Sequence, residues 1–479
     1  MNKRVILVHP PMRLRSLYGP LAEAGSQLPP QGLCSLAAVL RADGYEPIII
    51  DATAENLNFL ETYERIIKEL PAIFVGFTVY FVSEPVVAAL ARKLKKKFPE
   101  VKIVVGGGQA TLLKDKMLEN YHDIDMVCIS EGEKIVKNLT PALETNQSLR
   151  NIRGIVYREK EKIISNQAEE WITNLDILPF PAWDLLPPLA KYYLPAGDSL
   201  KRFPSTGLVT SRGCPGQCFF CHKNMFGTLV RQNSPDYVIR ELEELQQKYG
   251  IRDIYFQDDT FTSHREWVIK FCQLLIKKNL DLTWACHGRT DLVDFEMLKL
   301  MKKAGCWQIT FGIESGSQKV LDTINKQTTV EQNEKTLEIC RQVGLSVKGL
   351  FMLGSFGETK DTINETKKFL KENYLTDFHM TFFTIYPGTV AYHIWPKFGR
   401  KSRKKTPISL YEPSFIPFGL TRDYLIKEHR NFYKAFYLRP VIIWNFIKKM
   451  SDYHQWRKIV GSGIAFFRYT FFTNLYSNT

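Results

Sequence analysis

The sequence predicts an α/β protein in three parts: a flavodoxin-like doubly wound parallel sheet, a partial (β/α)6 barrel, and a mainly helical C-terminal region. Three observations predict it. Short β-branched runs alternate with amphipathic stretches over 1–145, the same alternation resumes near 205, and after 396 it gives way to basic, aromatic-rich sequence that reads as helical. Nearly continuous apolar strands joined by amphipathic helices imply parallel sheets covered on both faces. The expected boundaries are 1–145, a hairpin and linker at 146–195, the barrel at 196–396 and the tail at 397–479.

In the first part the strands are "RVILVHP" (4–10), "EPIIIDA" (46–52), "AIFVGFTVY" (72–80), "VKIVVGG" (101–107) and "DMVCIS" (125–130), with helices such as 30–45 and 84–99 between them. Ligands of such sheets lie at the carboxyl ends of the strands. Those ends read "HPP" (9–11), "DATAEN" (51–56), "VYFVSE" (79–84), "GGGQAT" (106–111) and "SEGEK" (130–134). Gly106, Gly107 and Gly108 suit either close approach of a large ligand or a tight turn. No G-x-G-x-x-G follows the first strand, so a dinucleotide fingerprint is absent.

Residues 152–165 read as a small charged-turn hairpin, and 175–188, rich in Pro and aromatics, as an ordered linker. Six further strands follow at 205–211, 253–259, 282–289, 307–315, 346–354 and 378–388. Among the helices between them, 234–250 starts with Ser234 as N-cap and Pro235 in its first turn. An open βα barrel carries its chemistry on the loops after its strands.

Bulk composition narrows the class. At 44% hydrophobic and 24% charged, the chain is globular rather than disordered. Its 479 residues suit roughly two to four domains. The start "MNKRVILVHPP" is not a signal peptide, and the run at 72–82 is shorter than the ~20 residues of a membrane span, so a cytoplasmic location is expected. Nine cysteines, three of them in one motif, point to metal binding in a reducing compartment.

That motif is "SRGCPGQCFFCHKN" (211–224), in the loop after the first barrel strand. Cys214, Cys218 and Cys221 are too few for a tetrahedral structural zinc site. His222 is an awkward fourth ligand, because it adjoins Cys221. A [4Fe–4S] cluster normally takes four cysteines, so three leave one iron open. The C-x3-C-x-Φ-C spacing, with Phe220 before the last cysteine, resembles the motif of the radical SAM superfamily. The resemblance implies that the open iron chelates S-adenosylmethionine and that an electron from the cluster cleaves it to a 5′-deoxyadenosyl radical. It extends to "YFQDDTFT" (255–262), "HGRTD" (287–291), "FGIESGS" (311–317) and "GLFMLGSFGET" (349–359). It therefore implies S-adenosylmethionine contacts from Phe220, Asp258, Arg289, Glu314 and Ser315. "QDD" stands where the family usually has Gly-Gly-Glu, which leaves the partner of the methionine amino group unassigned.

A flavodoxin-like domain ahead of such a barrel resembles the cobalamin-binding class of radical SAM enzymes, which includes methyltransferases and the anaerobic magnesium-protoporphyrin ester cyclases. "LPPQGLCSLAAVLRADGY", "GGGQAT" and "SEGEK" are similar to segments recurring there. The implied cobalamin contacts are Tyr80, Phe81, Gly106, Gly107, Gly108, Ser130 and Glu131. The D-x-H-x-x-G loop of other cobalamin proteins is missing, since "DATAEN" has no histidine after Asp51, so the cofactor is expected base-off with no protein histidine on the cobalt. The implied activity is methylation of an unactivated carbon of a small-molecule or lipid-like substrate, with electrons from a flavodoxin or ferredoxin. The alternatives are a radical cyclase or rearrangement enzyme, and a tRNA methylthiotransferase-like RNA modification.

Basic charge is concentrated in the tail. Lys397 to Thr479 hold 16 Lys and Arg against 4 Asp and Glu, +12 of the chain's +14, and 19 Phe, Tyr or Trp. Three readings arise: a helical region packed on the barrel, a surface meeting anionic lipid or a large apolar substrate, or, from basic charge among aromatics, an RNA-binding surface. Nucleic acid is not expected as a partner. The methylthiotransferases carry a second N-terminal cysteine triplet, and that region here has only Cys34 and Cys128.

Overall fold

The computed structural model describes residues 3–12, 25–196, 199–402, 410–449 and 453–471. The chain divides into two compact units. One contains the first strand, Pro29–Tyr193 and Lys223–Asn233; the other contains Leu194–His222 and the chain from Ser234 onward.

The first unit is built on strands β1 (Arg4–His9), β2 (Glu46–Asp51), β3 (Val75–Thr78), β4 (Ile103–Gly106) and β5 (Met126–Cys128). They pair in parallel in the order β2-β1-β3-β4-β5, the flavodoxin-like arrangement. Helices α1 (Gln31–Ala42), α2 (Phe59–Lys68), α3 (Glu84–Lys97), α4 (Gly108–Leu113), α5 (Asp115–Asn120) and α6 (Glu133–Glu144) connect them. Ile6, Val8, Val75, Phe77, Val105 and Val127 fill the core against Val87, Leu90 and Leu94 of α3. Alternate strand residues are apolar on both faces because helices cover both. The Asn58 side chain caps α2 and Glu61 returns the bond, a complete capping box.

The hairpin expected at 152–165 forms as β6 (Ile155–Glu159) and β7 (Lys162–Ser165). It does not stand apart. β6 pairs antiparallel with β5, so the sheet has seven strands. Ile155 and Val156 are fully buried, and that burial draws the hairpin onto the sheet edge.

The second unit is an open parallel half-barrel. Its strands are β8 (Ser205–Leu208), β9 (Asp253–Phe256), β10 (Thr283–Gly288), β11 (Cys306–Glu314), β12 (Ser346–Leu353) and β13 (Asp377–Phe382), paired in simple sequence order. Between them run α7 (Pro235–Tyr249), α8 (Arg265–Lys278), α9 (Phe295–Lys303), α10 (Gln318–Thr323), α11 (Val330–Val343) and α12 (Lys360–Glu372). Ser234 caps α7 through the Tyr237 N–H with Pro235 at its first position, and left-handed Gly250 ends it. The outer strand face packs aromatically: Trp284 lies 5.6 Å from Phe256 and 5.6 Å from Phe271.

The tail is mainly helical, with α13 (Arg422–Tyr437), α14 (Pro440–Lys449) and α15 (Tyr453–Phe471). A short antiparallel pair, β14 (Gly399–Lys401) and β15 (Phe415–Pro417), precedes them. Fully buried His429 joins α13 to β13 and α15. Its Nε2 lies 2.9 Å from the Met380 carbonyl, and its ring stacks on Phe382 at 4.6 Å. Part of the aromatic content of the tail is therefore core. Among the described residues no helix is long and apolar enough to cross a membrane.

Candidate active site

The cysteine loop begins just past β8, and three backbone contacts hold it. The Phe219 N–H donates to the Ile324 carbonyl (3.0 Å), Asn325 Nδ2 to the Gln217 carbonyl (2.8 Å), and the Ala391 N–H to the Phe219 carbonyl (2.9 Å). Phe220 packs on a small apolar cluster with Ile324, Phe356 and Phe383. The loop that carries the thiols is thus fixed by packing before any cofactor arrives.

Cys214 is half-buried, Cys218 buried and Cys221 exposed. A hydrogen bond from Cys221 holds the Cys218 thiol down at about 6 against its burial, with help from the Lys326 and Arg289 cations. The same bond pushes the Cys221 thiol up. Thiolates are the metal-ligating form, and nearby cations favour them. Gly216 shows how close the cation comes. A Cβ there would lie 2.9 Å from Arg289 Nη1 and 3.5 Å from Cys214 Sγ, so a side chain would displace the guanidinium. Three thiols at a loop tip backed by two cations fit an anionic iron–sulfur cluster, whose charge the cations offset.

Polar residues from three strand ends surround the thiols. Arg289, just after β10, grips Asp291 in two-pronged fashion, Nε to Oδ1 and Nη2 to Oδ2, both at 3.0 Å. Its Nη2 also donates to the Lys326 carbonyl (3.2 Å). Glu314 ends β11 at φ 65°, beside a register shift between Gly312 and Glu314. A non-glycine residue in that region costs about 1 kcal/mol or more and is held there by its surroundings. Its carboxylate meets Lys326 Nζ at 2.8 Å, both side chains largely buried. Burial works against the Lys326 ammonium, but Glu314 and Cys218 keep it charged. The result is a compact set of paired charges beside the cysteines.

Two predicted residues lie differently. Asp258, after β9, is buried, and its Oδ1 accepts from the Thr210 N–H (3.0 Å), Thr210 Oγ1 (3.1 Å) and Ser211 Oγ. It therefore ties down the residues that lead into the cysteine loop. Ser315 is fully buried, and its hydroxyl pairs with Thr366 of α12 at 3.1 Å. Lys326, Asp291 and Thr260, which lies 3.5 Å from Cys214 Sγ, went unseen in the sequence. Lys326 belongs to no motif and is brought to Glu314 only by the turn after α10.

Asp258 yields a prediction. Burial raises its carboxyl to about 6 from an ordinary 3.8. A raised folded value means stability present below pH 4 and lost as pH climbs through 6, about 3 kcal/mol for this group. Asp258→Asn keeps an acceptor for the three donors and removes the charge. It should fold and lose that pH dependence in urea titrations between pH 4 and 7. Asp258→Ala leaves buried donors unmet, about 1–3 kcal/mol, and iron per chain after reconstitution should fall.

In the first unit the predicted residues cluster at the carboxyl edge of the sheet. Tyr80 is 43% exposed and Phe81 half-buried. Gly107 has φ 92°, and a Cβ there would meet Thr78 Oγ1 at 2.9 Å; at Gly108 it would meet nothing within 4 Å. Gly107 serves the turn over β3, and Gly108 leaves open space. Ser130 Oγ donates to the Met225 carbonyl (2.6 Å) and accepts from Trp171 Nε1 (2.9 Å). Glu131 is buried against Arg231 at 2.7 Å and also accepts from the Ile172 N–H (2.7 Å). These two residues thus hold Lys223–Asn233, the segment directly after the cysteine loop, within the first unit.

Residues 208–370 match the model of the radical SAM superfamily, and residues 19–140 that of the B12 binding domain. An uncharacterized methyltransferase of Pyrococcus horikoshii is 32% identical over 438 residues, 90% of this chain and 92% of that one. The chain belongs to the cobalamin-binding radical SAM family. A second relative, the anaerobic magnesium-protoporphyrin IX monomethyl ester cyclase of Rubrivivax gelatinosus, is 31% identical over 77% of this chain and 66% of its own length. The fold matches that of the radical S-adenosylmethionine methyltransferase TsrM from Kitasatospora setae, solved with cobalamin and a [4Fe–4S] cluster (TM-score 0.67, 18% identity, 88% of this chain and 80% of that one). The chain is an enzyme, and the cofactors of its two matched domains are a [4Fe–4S] cluster, S-adenosylmethionine and cobalamin.

Proposed function

We propose that this radical SAM enzyme methylates an unactivated carbon of a small molecule, with S-adenosylmethionine as the source of both the radical and the methyl group. The observation that carries the reading is the cysteine loop with its adjoining charges. Cys214, Cys218 and Cys221 hold three irons of the cluster. Arg289 and the Glu314–Lys326 pair offer a cation and a carboxylate to the zwitterionic methionine end of S-adenosylmethionine. The cluster supplies one-electron reduction of the sulfonium, and cobalamin carries the methyl group. The protein's part is to hold these groups in fixed orientation and away from water.

Each turnover would consume two S-adenosylmethionine molecules and two electrons from a flavodoxin or ferredoxin. It would release one S-adenosylhomocysteine, one methionine and one 5′-deoxyadenosine. A cyclase would release 5′-deoxyadenosine without S-adenosylhomocysteine, so assay of both nucleosides with reconstituted enzyme separates the two activities. Methyl transfer is favoured because the relative that this chain matches almost end to end is named a methyltransferase.

A lipid-facing role for the tail has its own support. Val441 and Trp444 of α14 and Trp456, Val460, Ile464 and Phe467 of α15 are exposed, in a tail of net charge +12. Exposed aliphatic and indole side chains with basic charge suit an anionic bilayer surface. The enzyme should co-sediment with phosphatidylserine-containing liposomes at low salt, and Trp456→Ser with Phe467→Ser should weaken this severalfold. Absence of co-sedimentation would remove the membrane role and leave the chemistry untouched.

A further inference from the structure

Three cations stand beside the cysteine loop without a counter-charge. From Phe378 to Tyr411 the sequence holds no Asp or Glu, and its six Lys and Arg all fall in "KFGRKSRKK" (397–405). Of these, Lys397, Arg400 and Lys401 are exposed, and among the described residues none of the three forms an ion pair. Glu412, the next acid along the chain, is engaged by Arg422 (3.3 Å). Lys401 Nζ lies over both Tyr392 and Trp395, 5.0 Å from each ring centroid, which holds the ammonium against the surface.

These cations and the cysteine loop rest on one support. Phe220, which precedes Cys221, packs with Ile394, Trp395 and Phe398 on the buried cluster of Phe356, Phe383 and Phe415. Phe356 stacks on Phe398 with centroids 4.5 Å apart. The Ala391 N–H donates to the carbonyl of Phe219, the residue after Cys218 (2.9 Å). Beside Ala391, Val390 and Tyr392 are 49% and 36% exposed, so apolar surface and unpaired positive charge meet on this face. Protein docking surfaces combine these two features, an apolar centre within a polar rim.

We propose that a small acidic one-electron carrier protein docks on this face to reduce the cluster. Lys397, Arg400 and Lys401 form the charged rim, and Val390 and Tyr392 the apolar contact. This rests on the cluster reading of the cysteine loop. A carrier must bring its redox centre close to the metal it reduces, and the residues that tie this face to the loop, Phe219 and Phe220, adjoin Cys218 and Cys221. Positive charge without counter-charge selects an acidic partner and speeds its encounter. One electron passes from the reduced carrier to the oxidised cluster, and no atom is transferred. The exposed residues suited to lipid are a separate set, on α14 and α15.

Binding of oxidised flavodoxin to the full-length reconstituted enzyme, read by biolayer interferometry at low salt, tests this without turnover. Reversal of the three charges together (Lys397→Glu, Arg400→Glu and Lys401→Glu) should weaken binding about tenfold or more, and added salt should weaken it in the parent. Formation of 5′-deoxyadenosine driven by reduced flavodoxin should fall with it. The rate driven by sodium dithionite, which needs no docking, should match the parent. Lys96→Glu with Lys97→Glu, exposed on α3, reverses charge elsewhere and should leave flavodoxin binding unchanged. Equal binding by the triple variant and the parent, or an equal fall in both variants, would overturn the docking face while the cluster absorbance stays normal. Loss of liposome co-sedimentation in the triple variant with flavodoxin binding intact would overturn it in favour of lipid. A parent enzyme without cluster absorbance would overturn it together with the cluster reading.

Discussion

Cys218→Ala enzyme, reconstituted with iron and sulfide under anaerobic conditions, holds no [4Fe–4S] cluster and forms no 5′-deoxyadenosine. Cys218 is the most buried of the three thiols, the one held low, and the one that the Lys326 and Arg289 cations favour as a thiolate. On the proposed ligation by Cys214, Cys218 and Cys221, with the fourth iron left for S-adenosylmethionine, there is no spare cysteine to take over. Cys34, Cys128, Cys272, Cys286, Cys306 and Cys340 are all buried, none of them in the loop. The readouts are iron content and the broad visible absorbance of the cluster. A Cys218→Ala protein with full iron and normal absorbance would mean that the loop is not the cluster seat.

Arg231→Met destabilises the first unit by about 3–5 kcal/mol, the usual loss when one partner of a buried ion pair is removed. The Arg231 and Glu131 side chains are only 3% and 4% exposed, so the carboxylate left behind loses its counter-charge in a dry site. The guanidinium also donates to the Ile172 carbonyl (2.8 Å) and lies over Trp171, 5.4 Å from its centroid. Arg231→Met with Glu131→Gln recovers part of the loss, because the amide removes the stranded charge and still accepts from the Ile172 N–H. Urea unfolding of the reconstituted enzyme measures both. A single-variant loss under about 1 kcal/mol would place the pair among weakly contributing surface bridges.

The cysteine loop and the Arg231–Glu131 pair differ in how well the sequence shows them. The cysteine loop is visible because its spacing is local and its place after a strand follows from periodicity. Parallel strands buried on both faces leave long apolar runs, so all eleven parallel strands, and with them Arg289 and Glu314 at strand ends, can be anticipated. Strand limits are less visible: the run at 72–80 forms only Val75–Thr78, because the chain turns over Gly107 straight after it. Pairings across long separations leave no periodic trace. Nothing near Arg231 marks Glu131, 100 residues away, as its partner, and Lys326 is one lysine among many. Asp258 and Ser315 show the converse. Their residue types suit a polar ligand, but the fold uses them to hold Thr210, Ser211 and Thr366.

Parallel register sets His9 opposite Asp51, a pairing across the sheet that leaves no local motif along the chain.

On the proposed function, this enzyme takes a methyl group and a radical from the same cofactor. Reconstituted enzyme, supplied with S-adenosylmethionine and a strong one-electron reductant, should form both S-adenosylhomocysteine and 5′-deoxyadenosine. With no substrate present, the first should stop near one equivalent per bound cobalamin, with the methyl group retained on the cofactor. Chromatography with mass detection reads all three species. Formation of 5′-deoxyadenosine alone, with no S-adenosylhomocysteine and no methylated cobalamin, would contradict methyl transfer.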